Sequence, residues 1–469
     1  ACPLLQWQET QREVRRYFDV VCPGTGHEGA EALQRWGQSL QDLCDACMAN
    51  QYSVPKGMAH TCRCLPKGKS PGDKRRLVVT YADSPARDVM CFTAKAAEGI
   101  CDLVCAHEEW LDESVSSNQG VLARFEGAQD VLAQTHLPIL VVFKFDFANF
   151  FLNVERAAVH EAVCWWVRHA RRINASRMFV GVRKAPIRRL GKELGRQVNG
   201  LSPDVQLSRA EGDAEWATAL VSSLPGFLHA DTEGLLEFGG SLWRQARGLA
   251  IGSPWGGAGC RLWCARQEHR MRHLRAWAHR AGERTSQGQR ARSHPSSACL
   301  GMRWVDDRWR VVRAASFRQV YQLYVVDIGT YSGAPWQAVQ GLAALCGAQW
   351  HGSLRLLSGV AQAILGFICT GIGQTVEDAS SVVGFDVGFE WLNHPARPLL
   401  CDDLSEGVHV GPEPLRLVAR LTTKVGSLLS DAQATASSPF PRFSHRSLDM
   451  RASPERIGGA IQWMVRCAF

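Results

Sequence analysis

Apolar and polar positions along the chain fall into blocks whose periods predict an α+β protein. Pro138-Ile139-Leu140-Val141-Val142-Phe143-Lys144-Phe145-Asp146 is almost continuously apolar. Such a run predicts a strand buried on both faces. Arg75-Arg76-Leu77-Val78-Val79-Thr80-Tyr81 is β-branched and predicts another strand. It is entered from a Gly- and Pro-rich loop over 66–74. Met302 to Val312 reads as two short strands meeting at Asp306-Asp307. Helical spacing is predicted through much of 1–60, over 91–110, 119–135 and 154–172, and in a long basic helix from about 259 to 282. Further helices are predicted over 317–329, 336–346, 413–430 and 454–467, with short strands at 348–357 and 362–369. Leu235 to Phe238 and the segment to Gln245 lead into a Gly-rich turn at 248–259. Residues 199–213 and 283–298 read as polar loops. No internal repeat is visible.

Composition narrows the class. The chain has 469 residues, 46% hydrophobic and 21% charged. That excludes wholesale disorder, collagen and coiled coil, and allows a large core. The longest apolar runs are too short to span a bilayer. Net charge is +8, with ten Lys or Arg against one acid, Glu193, between Arg168 and Arg196. This leans toward a polyanionic partner. The 17 Cys are odd in number and scattered, and the opening residues lack the n-region, apolar h-region and cleavage site of a signal peptide. Reduced thiols in an intracellular protein, nuclear or cytoplasmic, are the expectation. The first residue is Ala1 rather than Met, so a fragment or excised domain is expected.

Three features carry chemistry. Asp306-Asp307 sits between Arg303-Trp304-Val305 and Arg308-Trp309-Arg310-Val311-Val312. Adjacent carboxylates repel, and a divalent cation relieves that repulsion; alone, the pair would read as a solvated hairpin turn. Asp146 closes the buried strand ahead of Phe147-Ala148-Asn149-Phe150-Phe151, where a carboxylate suits a metal; alone, it would read as a helix cap. Gly248-Leu249-Ala250-Ile251-Gly252-Ser253-Pro254 opens a helix, where backbone N–H groups can approach an anion or a base pair; alone, it would read as a capped turn.

In this order and spacing the three resemble the reverse transcriptase family. Phe145-Asp146 through Phe150-Phe151 resembles its first palm motif. Gly248 to Pro254 resembles its second, with Ala250 and Ile251 in place of the usual Pro-Gln. Trp304-Val305-Asp306-Asp307 resembles its third, with Trp for Tyr or Phe. Ile364-Leu365-Gly366-Phe367 resembles the later primer-contacting turn. Arg75 resembles the fingers Arg that meets the incoming triphosphate, with Lys67 or Lys69 as its partner. The second motif, with Gln245 and Glu268, looks most like Penelope-type retroelements; the aromatic pair at 150 and 151 also occurs in retron and group II intron enzymes. The resemblance spans about residues 65–370.

It implies a right-hand polymerase. Residues 1–64 would be an N-terminal helical extension and 65–136 the fingers. Residues 137–370 would be an antiparallel palm with basic insertions at 168–213 and 283–298, and 371–469 a small helical thumb. The implied activity is RNA-directed DNA synthesis by a retroelement, with an RNA template, a DNA or RNA primer, dNTPs and no membrane. Asp146 and Asp306 would hold two Mg²⁺ ions, or Mn²⁺ in their place, with the Phe147 carbonyl; Asp307 would orient and balance charge. Gly252 and Ser253 would meet the nucleotide; Gly248, Pro254, Leu365 and Gly366 would meet primer or template. Phe151, five residues beyond Asp146, would lie under the sugar and exclude a 2′-hydroxyl; core packing accounts for it equally well. Arg261, Arg266, Arg270, Arg272, Arg275 and Arg280, with Trp263 and Trp277, would line a nucleic-acid channel, or form a solvated helix face. Two alternatives share the pattern: an RNA-dependent RNA polymerase on the same palm, and a catalytically retired palm that only binds. Cys44-x-x-Cys47 has zinc-knuckle spacing, but the following His60-x-Cys62-x-Cys64 is too tight for the usual pattern, so structural zinc is not expected.

Overall fold

The computed structural model describes residues 3–24, 26–47, 59–67, 70–81, 84, 86–110, 112–115, 124, 139–147, 150–183, 198–200, 214–280, 297–351, 354–371, 385–388 and 408–410. In chain order the elements are α1 (Pro3–Tyr17), β1 (Phe18–Cys22), α2 (His27–Cys47), β2 (Thr61–Lys67), β3 (Ser70–Thr80), α3 (Arg87–His107), β4 (Ile139–Phe147), α4 (Phe150–Asn153), α5 (Arg156–Arg172), β5 (Arg177–Arg183), β6 (Val198–Gly200), β7 (Ala214–Leu220), α6 (Leu224–Thr232), β8 (Leu235–Phe238), β9 (Ser241–Gln245), α7 (Pro254–Arg270), α8 (Arg272–Arg280), β10 (Ser297–Trp304), β11 (Asp307–Ala314), α9 (Phe317–Gly329), α10 (Trp336–Gln349), α11 (Leu354–Gly371), β12 (Phe385–Gly388) and β13 (Val408–Val410). This is a mixed architecture of helices and small antiparallel sheets.

The apolar run becomes β4, the middle of a five-stranded antiparallel sheet. β11 pairs along its whole length on one side, from Asp307 opposite Asp146 to Ala314 opposite Ile139. β10 pairs with β11, from Ser297 opposite Ala314 to Trp304 opposite Asp307. β12 and β13 share the other side of β4. Side chains alternate across a sheet, and Phe143, Phe145 and Phe147 are fully buried on one face.

Two cores cover the buried face. Phe143 and Phe145 pack with Met271, between α7 and α8, and with Leu274, Tyr324, Leu342, Leu357 and Leu365 from α8 to α11. Phe147 and Phe150 belong to a second core built on α3, α5, α6 and α7. A third, smaller core joins Val14 and Tyr17 of α1 to Leu77, Val79, Leu236 and Trp243.

Several expectations are corrected. The single basic helix is two, broken at fully buried Met271. Met271 leaves helical geometry (φ −94°, ψ 2°), and the break turns the chain from one core into the next. The segment at 348–371 is chiefly helix α11. Leu354, Leu357, Ala361 and Leu365 are buried at the three- and four-residue spacing of one helix face, so a strand at 362–369 would have divided them between two faces. Phe18 to Cys22, expected within a helical region, is strand β1, paired with β9; its Val20-Val21 pair favours extended backbone. Within 371–469 the described elements beyond the end of α11 are β12 and β13, which join the central sheet. The helices expected at 413–430 and 454–467 lie outside the described residues, as do nearly all of that expected at 119–135 and most of both basic insertions. Among the described residues no helix is long and apolar enough to cross a membrane.

Candidate active site

The β10–β11 hairpin closes on a two-residue loop. Trp304 pairs with Asp307, so the loop is Val305-Asp306, and Asp307 already belongs to β11. Val305 has φ +57°. A β-branched residue in the left-handed region is a true outlier, and such strain concentrates at functional turns. Trp304 and Val305 are both exposed. The turn rests against β4, where the Phe147 N–H donates to the Asp306 carbonyl at 3.3 Å. Asp146 and Asp307 are direct partners in the ladder, and directly opposed residues of an antiparallel pair lie about 5 Å apart at Cα on one face. The backbone thus brings Asp146, Asp306 and Asp307 together at one edge of the sheet.

The opposite face of the hairpin carries a feature that the sequence does not announce. Arg303, Arg308 and Arg310 are buried. Arg303 Nε donates to Glu268 Oε1 at 2.9 Å and its Nη2 to Asp112 Oδ1 at 3.2 Å. Arg308 donates to Glu113 at 3.0 Å and to Asp327 at 3.2 Å. Glu113 also accepts from Arg310 and, at 2.9 Å, from Arg275. Burial pushes the Glu113 carboxyl upward, but Arg275, Arg308 and Arg310 outweigh burial and hold it well below its ordinary range. A Cβ on Gly301 would fall 2.7 Å from Glu113 Oε1, so a glycine there leaves room for the network. The segment 112–115 is laced to β10 by the Arg303 N–H to the Glu113 carbonyl (2.7 Å) and the Val115 N–H to the Arg303 carbonyl (2.9 Å). The hairpin is therefore clamped from beneath by charges drawn from the 112–115 segment, α7, α8 and α9. Nothing in the local sequence pairs these arginines with acids up to 197 residues away.

The Gly248–Pro254 turn lies beside the end of β4. The Leu249 N–H donates to the Phe151 carbonyl at 2.5 Å. Gly248 has φ +67°, and a Cβ there would meet the carbonyls of Phe151 and Leu152. Gly252 has φ +99° and stands against the Val79 carbonyl of β3, while the Val79 N–H donates to the Ile251 carbonyl at 2.8 Å. Pro254 is the first residue of α7, where a missing N–H has no consequence. Phe151 is half-buried, packed on the α3–α7 core, and its ring lies 3.6 Å from where a Gly256 Cβ would be.

Other expected site residues fall elsewhere or act differently. The Ser253 hydroxyl faces inward: it accepts from the Trp255 and Gly256 N–H groups at 3.1 and 3.2 Å and donates to Asp231 Oδ2. It caps α7 rather than facing a ligand. Leu365 is buried in the middle of α11, and Gly366 follows it in the same helix, so neither forms a primer-contacting turn. Arg261 bonds Asp112 at 3.0 Å and Asp102; Arg266 bonds Glu161; Arg270 donates to the Ala334 carbonyl at 2.9 Å. These guanidinium groups are engaged by acids and a carbonyl of the chain itself, which departs from a phosphate-facing row. Trp263 is a core residue. Arg75 and Lys67 lie in the β2–β3 hairpin, Arg75 opposite Pro66 and Lys67 opposite Ser70; Lys69 lies outside the described residues. His60 stacks on Tyr81 with centroids 3.8 Å apart.

No protein-family model and no curated protein matches this chain. Among solved structures it is similar to telomerase from Candida albicans in complex with a fragment of telomeric RNA, at 13% identity and a TM-score of 0.38, over 70% of this chain and 50% of that one. It is also similar to apo telomerase from Candida tropicalis, at 14% identity and a TM-score of 0.36, over 66% and 49%. A chain described as an RNA-dependent RNA polymerase with vp4 and dsRNA is similar at 12% identity and a TM-score of 0.33, over 64% and 23%. The chain spans about half the length of these telomerases. At such scores the function is read from the chain's own geometry.

Proposed function

We propose that this chain is a template-directed polymerase, and that it acts as an RNA-directed DNA polymerase of the retroelement type. The observation that supports this most is the register of the central sheet: Asp146 of β4 stands opposite Asp307 of β11, with Asp306 in the β10–β11 turn. Three carboxylates at one sheet edge, on a hairpin stiffened from below, suit a site for two divalent cations.

In this reading Asp146 and Asp306 hold two Mg²⁺ ions, or Mn²⁺ in their place, with the Phe147 carbonyl as a further ligand. Bound there, the ions supply Lewis-acid activation of a primer 3′-hydroxyl and neutralise charge on the triphosphate. Asp307 orients the pair. The protein's own contribution is positioning and fixed electrostatics rather than covalent chemistry. Arg75 and Lys67 hold the triphosphate from the β2–β3 hairpin, as Lys69 would from its loop. The backbone of the Gly248–Gly252 turn lies beside the base pair being formed, and the Phe151 ring excludes a 2′-hydroxyl. Template RNA and a DNA or RNA primer complete the assembly.

Separate offers of dNTPs and rNTPs to purified protein on a primed RNA template test this. Extension with dNTPs alone is expected, with rNTP use rising in Phe151→Val. Extension only with rNTPs would make it an RNA polymerase.

A further inference from the structure

We propose that Asp231 is a positioning residue that latches the Gly248–Pro254 turn to the fingers strand, and so sets how tightly the incoming nucleotide is held; the second half of this rests on the polymerase reading.

Asp231 stands near the end of α6, before the β8–β9 hairpin, and none of the three motifs includes it. It is buried, at 6% exposure. The Ser253 hydroxyl donates to its Oδ2, and the Tyr81 phenol also hydrogen-bonds its carboxyl. Tyr81 directly follows β3, and Ser253 caps α7. One carboxylate therefore joins three segments: α6, the end of the fingers strand and the start of the helix behind the turn. The Val79 to Ile251 backbone bond runs beside the latch. At the other end of the turn, Arg156 Nε donates to the Gly248 carbonyl at 2.9 Å, and its Nη2 to the Gln245 carbonyl. The turn is thus fixed at both ends.

Simple capping of α7 does not require this residue. Ser253 alone satisfies the Trp255 and Gly256 N–H groups. Asp231 Oδ1, moreover, is buried without a hydrogen-bond partner, and an unsatisfied buried oxygen is destabilising. Burial pushes the carboxyl up to about 6 despite the opposing bonds from Ser253 and Tyr81 and the charge of Arg156. A costly group where three segments meet marks a functional position more often than a structural one. The route to the substrate is short: the latched turn bonds the Phe151 carbonyl through Leu249, and Gly256 stands against the Phe151 ring.

The test is steady-state extension by Asp231→Ala, Asp231→Asn, Ser253→Ala and the Asp231→Ala/Ser253→Ala pair, with hydrogen exchange on the same proteins. In Asp231→Ala the KM for dNTP is expected to rise about tenfold, the size of one lost charge-assisted hydrogen bond. The kcat and primer–template affinity should stay within about twofold. Asp231→Asn, which keeps an acceptor for Ser253, should show a smaller rise, and the double variant no more than the larger single effect. Amides of 76–81 and 248–256 should exchange faster in Asp231→Ala while those of α10 do not change. An unchanged KM, or KM, kcat and primer affinity failing together, would overturn the positioning role. Unchanged exchange at 76–81 and 248–256 would overturn the latch itself, whatever the activity. A folded wild type that extends nothing would sink the polymerase reading and with it the nucleotide half, and the exchange data would still decide the latch. If Asp231→Ala does not fold, Asp231→Asn carries both readouts.

Discussion

Gly252→Ala should damage the protein where a nearby glycine tolerates the same change. Gly252 has φ +99°, and an added Cβ would lie 2.9 Å from Val78 Cγ1 and closer still to the Val79 carbonyl oxygen, nearer than real Cβ atoms come to backbone. The carbonyl cannot swing aside, because β3 holds it. Strain of a non-glycine residue in this region costs about 1–3 kcal/mol. Moving the turn away breaks the Val79 to Ile251 hydrogen bond, about 1 kcal/mol net. Reduced freedom of the unfolded chain returns about 0.4–1 kcal/mol. The sum is a loss of about 2–3 kcal/mol. Gly257, five residues on, lies within α7, and a methyl group added there would meet nothing within 4 Å; Ala at this position should gain about 0.5–1 kcal/mol. Urea unfolding of both variants beside wild type is the assay. At a slope of about 2–3 kcal/mol per molar, the Gly252→Ala midpoint should fall by about 1 M and that of Gly257→Ala should rise slightly. A Gly252→Ala midpoint equal to wild type would show that the turn does not press on β3 as described.

Further outcomes follow from the same geometry. Glu268 is fully buried, bonded to Arg303 at 2.9 Å and to the Tyr331 hydroxyl at 2.6 Å, so Glu268→Ala should cost about 3–5 kcal/mol in urea unfolding by stranding a buried charge, while Glu268→Leu with Arg303→Met should recover most of it. Burial holds buried His60 down to about 4 from 6.5. The unfolded chain therefore binds the extra proton first, and the stability this group contributes is full above pH 6.5 and lost as pH falls toward 4. His60→Phe should lose about 2–3 kcal/mol less than wild type between pH 7 and 4.5, measured by thermal or urea unfolding at both pH values; an equal loss would contradict it. In extension assays Phe151→Val should narrow the preference for dNTPs over rNTPs by at least about tenfold; an unchanged ratio would make Phe151 a packing residue only.

The central sheet is legible in the sequence because its signals are local. The apolar run at 139–147 has strand length and no polar interruption, and Met302 to Val312 holds two short strands around a turn. Even there the turn lies one residue earlier than two adjacent Asp suggest, since the loop is Val305-Asp306. Gly248 and Gly252 are turn residues as expected, and within the chain the backbone of Phe151, Leu152 and Val79 approaches them closely. The basic row on α7 and α8 misleads because charge shows no partner in sequence. Arg261 meets Asp112 across 149 positions, and Arg303 meets the same residue across 191. Asp231 gives no signal: a single Asp before a hairpin looks like any turn residue, and only burial beside Tyr81 and Ser253 distinguishes it. In α11, Gly359 and Gly366 suggest short segments, although buried positions at 354, 357, 361 and 365 already carry the helical period.

The most direct measurement is Mg²⁺-dependent primer extension on an RNA template by wild type and by Asp306→Asn/Asp307→Asn, with matching urea midpoints showing that both fold. The wild type should convert dNTPs into DNA product, and the double variant should fall to background while still binding primer–template. Product formation that persists in the folded double variant would contradict the assignment of this sheet edge as the catalytic centre.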